Sequence, residues 1–364
     1  MQDIMQTIEK EKNVLALAVK RNTSLIINII IKLSIILSFV VPFWILYSLA
    51  PVYFERTWIG RTFYLFFLWL IFLEIILDWE KLQKSKLKSL RSMRTAAFII
   101  TLALPLLYVI AENYWGLNAM ISNSAILSNI EEHYATLLPI GIEYLVFAAL
   151  FGLIILSAHG LGGLMDFSTS ILFLGVIGVM YTIDNLFPYG RFTPFQVFVP
   201  ATTTLAASML RFMGYSATVG FSTSAYYGSI PVLSVSNSTG SAAFGIAWAC
   251  SGVESLLIYT VVILLFLKKS DIPLWHRIIY FAIGALVTYF LNIVRIATIF
   301  VIAVNHGDWQ LFHDYYGLLY SVVWITCYPL IIVGSQALWG RVKSWRTGRS
   351  SLISQQRRFQ QNPV

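Results

Sequence analysis

Charge is scarce in this sequence. Asp, Glu, Lys and Arg supply 12% of its 364 residues, while 58% are hydrophobic. A soluble domain carries about 25% charged and about 45–50% apolar residues. So little charge cannot clothe a water-facing surface, which excludes a soluble globular enzyme, a disordered chain and a nucleic-acid-binding module. What remains is an all-α, polytopic helical membrane protein. Cysteine is nearly absent too. Cys250 and Cys327 stand alone, which excludes a disulfide framework and a CxxC metal site. No cluster of His and carboxylates has ligand spacing, so neither a metal nor an organic cofactor is expected. A cleavable signal peptide is not expected either, because residues 1–21 are polar and the first apolar run is long and lacks a small-residue cleavage site.

What the chain does have is long apolar runs, and a mean hydropathy of +0.74. A spanning helix needs about 20 mostly apolar residues. Eight spans are read at 25–49, 61–78, 95–111, 138–158, 167–184, 247–267, 277–303 and 316–338. The net charge of +8 sits in the short loops between them, the positive-inside pattern of a membrane protein. With eight spans and both termini cytoplasmic, nineteen of the 25 Lys and Arg face inward. They come from the N-terminal segment, the 81–94 loop, Lys268, Lys269 and Arg277, and the tail. Arg56, Arg61, Arg191 and Arg211 stay outside, together with Glu112, Glu131 and Glu132.

A ninth stretch, 194–213, carries Pro200, Arg211 and three successive threonines. Counting it as a span would turn the basic tail outward. It therefore reads as an amphipathic helix lying on, or dipping into, the outer face. Residues 214–246 are rich in Gly, Ser and Thr with short alternation, which predicts a small outer hairpin-like cap; Asn237-Ser-Thr within it is a glycosylation sequon. The resulting divisions are a cytoplasmic segment 1–24, N-terminal transmembrane helices 25–193, a polar-rich membrane region 194–338 and a basic cytoplasmic tail 339–364.

An ionisable residue inside a span is costly and is by default a functional candidate. Within or at the ends of the spans these are Lys32, Glu74, Glu143, Cys250, Glu254, Arg295 and His313. Cys250, in AWACSGVES, is read into the first turn of the 247–267 span, where the helix dipole favours a thiolate. Ser251 and Gly252 are small enough to let a peptide approach the sulfur. The alternative, an ordinary buried small Cys, stays open for a lone thiol, and Cys327 is given no role. Arg295 lies roughly 12 Å down from the outer end of its span at 1.5 Å per residue, with Asn292 on the same face. The alternative for Arg295 is an ion pair with Glu254 or Glu143. His313, in LFHDYYG, can move protons near neutral pH, with His306 a nearby competitor. Glu254, four residues after Cys250, reads as structural or orienting, and Glu74 and Glu143 as polar glue. The eight-span topology places Cys250, Arg295 and His313 towards the outer half of the last three spans. A nucleophile, an oxyanion-stabilising cation and a proton carrier on one face make up the set that acyl transfer needs.

The segments ACSG (249–252), LNIVRI (291–296) and HDYYG (313–317) resemble, in order and spacing, the three signatures of the exosortase/archaeosortase family. The resemblance covers roughly residues 194–338; chain length and the FHDYYG form point to the archaeal branch, of thaumarchaeal type. It implies a membrane-embedded cysteine transpeptidase-like enzyme with Cys250 as nucleophile, Arg295 as substrate- or oxyanion-binding cation and His313 as proton carrier. Ser251, Gly252, Glu254, Asn292 and Asp314 are its supporting residues. It further implies, as partners, surface proteins with a C-terminal tripartite tail (short motif, apolar span, basic end), and a membrane lipid amine as acceptor. Many bacterial relatives carry Arg four residues after the Cys, where this chain has Glu254. Two other classes stay open. A transporter would show inverted repeats and polar groups at mid-membrane, which are not seen. A transferase working through Glu143 or Glu254 would survive loss of the thiol. A non-catalytic relative is a third reading, against which the three intact motifs argue.

Overall fold

The computed structural model of the chain describes residues 2–55, 59–77, 92–187, 196–224, 228–270, 272–317, 320–321, 323–339 and 341. The loop at 78–91, Arg191 and the tail beyond Arg341, all used to orient the chain, lie outside the described residues. The first helix, α1, runs from Gln2 to Leu49. It is followed by α2 (Phe63–Leu77), α3 (Met93–Tyr114), α4 (Leu117–Leu127), α5 (Glu132–His159) and α6 (Ser168–Leu186). Then come α7 (Val199–Phe212), a three-stranded sheet, α8 (Val253–Lys269), α9 (Leu274–Val304) and α10 (Val323–Trp339).

Among the described residues, five helices are long and apolar enough to cross a membrane: Ile26–Leu49, Met93–Tyr114, Glu132–His159, Ser168–Leu186 and Leu274–Val304. The other three expected spans correspond to α2 and α10, which are shorter apolar helices, and to α8, of 17 residues. The polytopic all-α architecture follows from the lack of water inside a bilayer: a helix satisfies its own backbone groups, an open sheet does not. The sheet accordingly falls outside the spanning helices, in the segment 214–246 whose Gly, Ser and Thr content predicted a cap.

Along α1 the residues turned inward are Ile31, Ile35, Phe39, Phe43 and Leu46, all 6% exposed or less, a stripe at three- and four-residue spacing. Equally apolar residues such as Leu33, Leu37 and Trp44 face outward, as a lipid-facing surface requires. The inward stripe joins an aromatic core. Phe43 stacks on Tyr64 with centroids 4.3 Å apart, and Phe39 meets Phe67 edge-on at 5.2 Å, geometries that the ring quadrupoles favour.

The second core belongs to the cap end. Strands β1 (Ser216–Ser224), β2 (Gly228–Ser236) and β3 (Ser241–Gly245) form an antiparallel meander in which Val219 faces Leu233 and Leu233 faces Phe244. Leu233 and Val235, two apart and so on one face, pack with Ala206 and Leu210 of α7 and with Ile296 and Phe300 of α9. Thus α7 buries Val199, Thr202, Thr203, Ala206, Ala207 and Leu210 against protein, where the sequence led us to expect a helix facing the membrane surface. Phe212 and Leu205 on its other side stay exposed. The helix α4 lies between the expected spans 95–111 and 138–158, where no helix was expected, and packs on α5.

Packing gives the two glutamates read as polar glue their partners. Glu143 is not the partner of Arg295. Arg61, read as an outer-loop residue, reaches in from the start of α2 and donates twice to Glu143, with Nε–Oε1 at 3.0 Å, and Tyr64 donates to the same carboxylate at 2.7 Å. Glu74 instead accepts from the Thr169 amide and the Ser170 hydroxyl at the start of α6.

Removing one partner of a buried ion pair leaves the other charge uncompensated, at a cost of about 3–5 kcal/mol. Arg61→Met is therefore expected to lower stability by that amount in detergent-solubilised protein, read as the unfolding midpoint. The double variant Arg61→Met/Glu143→Gln is expected to recover part of the loss. A single variant with an unchanged midpoint would show that the pair contributes no stability.

Candidate active site

Three pieces of chain converge beneath the sheet. The first is the 3₁₀ turn Trp248–Ser251 with Gly252 after it. The sequence reading put Cys250 in the first turn of a spanning helix. Helix α8 starts only at Val253, so the thiol belongs to the turn that leads into it, and the helix dipole acts on it from beyond that turn. The break has a local cause. Gly252 adopts φ +91°, where a side chain is strained. A Cβ at Gly252 would also sit 2.9 Å from Asn292 Nδ2. That amide is where it is because it donates to the Cys250 carbonyl at 2.9 Å. Ser251 and Gly252 therefore shape the turn and do not serve as an open approach to the sulfur. The Ser251 hydroxyl donates to the Trp248 carbonyl at 2.6 Å, and its own carbonyl accepts from Thr202 of α7 at 3.0 Å. Thr202 is in turn 2.8 Å from the Tyr289 hydroxyl.

The second piece is the middle of α9. Arg295 is 7% exposed and its Nε has no hydrogen-bond partner among the described residues. It makes no ion pair with Glu254 or Glu143, so the structural alternative considered for it is not realised. Its guanidinium lies against the backbone of Gly317, where an added Cβ would come within 2.6 Å of Nε.

The third piece is a π turn, Phe312–Tyr316, closed by the Gly317 amide on the Phe312 carbonyl at 2.7 Å. Such turns are rare and concentrate at functional sites. This one aims His313 at the thiol, with Nε2 4.0 Å from Cys250 Sγ. Asp314 Oδ1 lies 2.9 Å from Nδ1 on the opposite side of the ring. The competitor, His306, is engaged elsewhere: its Nε2 lies 3.1 Å from the Thr239 carbonyl in the cap.

The electrostatics of Cys250 and His313 are complementary. Burial alone would push the Cys250 thiol up. The His313 hydrogen bond, with the charges of His313 and Arg295, outweighs it and lowers the thiol below its ordinary value. The same hydrogen bond raises His313 against its own desolvation, and Asp314 adds to the rise. The arrangement favours a thiolate–imidazolium pair held by a carboxylate, the logic of a nucleophile, a base and a group that orients the base.

Of the residues expected from the sequence, Cys250, Arg295, His313, Asn292, Asp314, Ser251, Gly252 and Glu254 gather here. Lys32 is buried away from them on α1. Cys327 lines a groove of about 590 Å³ with Leu291, Phe312, Tyr316, Tyr320 and Trp324. The groove opens between α9 and α10, beside the π turn that holds His313. The sequence reading missed Asp184 on α6, 8% exposed and within electrostatic reach of both Cys250 and Glu254. Its signal was available: an acid at the end of a span, in YTIDNLF. Thr202 and Tyr289 gave none, because their partners are backbone and hydroxyl groups distant in sequence.

Alkylation follows the thiolate fraction. Iodoacetamide labelling of the Cys250 peptide, read by mass, is expected to persist at lower pH than for an ordinary thiol. In His313→Ala the profile is expected to move to higher pH, because the group that lowers the thiol is gone. Coincident profiles would refute the pairing.

Compared with known proteins, the chain matches the family described as transmembrane exosortase over residues 55–329. No curated protein and no solved structure matches it.

Proposed function

This chain belongs to the transmembrane exosortase family of membrane-embedded sorting enzymes, and from that premise and the geometry above we propose that it is a cysteine transpeptidase. In this reading it cleaves the C-terminal sorting signal of surface proteins at the extracellular membrane face and passes them to a lipid amine. The observation that carries the reading is the Cys250–His313 contact at 4.0 Å with Asp314 behind the imidazole at 2.9 Å. Two supporting facts join it. The cap-end location of the site fits the outward face that the basic loops assign, with both termini inside. The groove between α9 and α10 offers an apolar wall to the spanning part of a substrate tail.

The steps follow from the residues. The Cys250 thiolate attacks the scissile carbonyl, and Arg295, whose Nε has no hydrogen-bond partner among the described residues, donates to the oxyanion. His313 gives its proton to the leaving amine, the C–N bond breaks and a thioester remains on Cys250. Asp314 keeps the imidazole in register. The acceptor amine then attacks the thioester, the C–S bond breaks, and the thiolate is restored opposite a reprotonated His313. The described residues need supply only these side chains.

The test is cellular. Wild type and Cys250→Ala are expressed with a surface protein that ends in a short motif, an apolar run and a basic tail, and the mass of its C-terminus is measured. Wild type is expected to remove the tail and leave a lipid mass, and Cys250→Ala to retain the whole tail. His313→Ala is expected to slow removal by about 10²–10⁴-fold, the usual contribution of a positioned proton carrier. Equal removal by wild type and Cys250→Ala would overturn the cysteine mechanism and move a carboxylate-based transferase ahead.

A further inference from the structure

Glu254 has no part in the steps above, yet it is built into the same site. It sits on the first turn of α8, is 2% exposed, and has a buried Oε1 with no hydrogen-bond partner among the described residues. On the neighbouring helix, Arg295 Nε is buried in the same condition. The two side chains lie within electrostatic reach of each other and of Cys250, His313 and Asp184, but they form no ion pair.

That separation carries information. A buried carboxylate and guanidinium free to meet ordinarily close into a two-point pair, as Arg61 and Glu143 do in this bundle. Here the carboxyl and the guanidinium are each left with an orphan atom, on the two helices that hold the Cys250 turn. A buried polar atom without a partner is costly, and both atoms would be satisfied by one ligand that accepts at one end and donates at the other. An acyl group under attack by an amine is such a ligand, with its oxygen on Arg295 and its incoming nitrogen on Glu254.

We infer that Glu254 receives the nucleophile that resolves the thioester and selects a protonated primary amine over water. The inference rests on the thioester reading above and names the acceptor side of that site. Water carries no charge and gains little from a buried carboxylate, whereas an ammonium gains a full charge pair. Asp184 adds a second carboxyl within reach. The step balances. The ammonium gives one proton to the Glu254 carboxylate, and the freed nitrogen pair forms the new C–N bond. The C–S bond breaks with its electrons on sulfur. The second nitrogen proton goes to the neutral His313, which restores the thiolate–imidazolium pair. Glu254 then loses its proton to solvent.

The experiment uses the purified full-length chain in phosphatidylethanolamine nanodiscs, with p-nitrophenyl hexanoate as acyl donor and Cys250→Ala as the blank. The p-nitrophenolate burst reports acylation of Cys250, and mass spectrometry reports the ratio of N-hexanoyl lipid to hexanoic acid. Wild type is expected to give mostly the amide in phosphatidylethanolamine and only the acid in phosphatidylcholine, which has no primary amine. Glu254→Gln is expected to lower the amide-to-acid ratio at least tenfold per acylated enzyme, and Glu254→Asp to keep part of it. An unchanged ratio in Glu254→Gln would overturn the inference alone; only acid from wild type in phosphatidylethanolamine would overturn it together with the lipid-amine acceptor, leaving the thioester standing. Loss of the burst in both Glu254 variants would assign the residue to the fold of the turn and also overturn it. A wild type with no burst would remove the thioester reading and this inference with it.

Discussion

The hydrogen bond from Asn292 Nδ2 to the Cys250 carbonyl, 2.9 Å long, is the constraint on which the site depends. It fixes the height of the 3₁₀ turn on α9, and through α9 it fixes the distance from the sulfur to Arg295, three residues along the same helix. It also dictates the residue after Ser251. With Asn292 pressed against position 252, only a glycine fits, and its φ of +91° turns the chain into α8. Thr202 secures the turn from the α7 side through the Ser251 carbonyl. A thiol carried by a turn is thus held from two helices, and the sheet matters mainly because it presses α7 and α9 together above it.

The low dielectric of the bundle sets a second rule: buried charge must find opposite charge or a strong donor. The two ends of the molecule obey it differently. In the N-terminal half, Arg61, Glu143 and Tyr64 satisfy one another and cement α2 to α5, while both oxygens of the neighbouring Glu112 lack a hydrogen-bond partner among the described residues. Around Cys250, orphan atoms on Arg295, Glu254 and Asn292 surround a thiol and an imidazole in contact. The first cluster joins two helices through a direct ion pair. The second adds a nucleophile and a proton carrier, and for that reason the proposed chemistry is placed there.

The contrast explains what could be read from the sequence. Long apolar runs report membrane helices directly, because the bilayer tolerates little else, and the family motifs marked the residues that now gather at the site. Boundaries were less legible. Arg61 was assigned to a loop because charge near a span end looks solvated, while its partner lies 82 residues away. The amphipathic pattern of 194–213 correctly indicated a helix with two faces. It could not tell whether the apolar face met lipid or a sheet, since both reward the same residues. The π turn at Phe312–Tyr316 has no composition cue, and it alone gives His313 its direction.

That direction has a further consequence for the proposed chemistry. His313 and Asp314 are adjacent in sequence, and adjacent residues on an α-helix point about 100° apart. A π turn widens the helix locally and lets Asp314 reach Nδ1 while Nε2 faces the sulfur. The same widening brings Gly317 back under Arg295, where no Cβ could fit. One backbone irregularity therefore orients the imidazole, supplies its carboxylate and seats the guanidinium. The three groups assigned to acid–base work and oxyanion binding are then mechanically linked. A change that straightens this turn would misplace all of them together, even with every side chain in them intact.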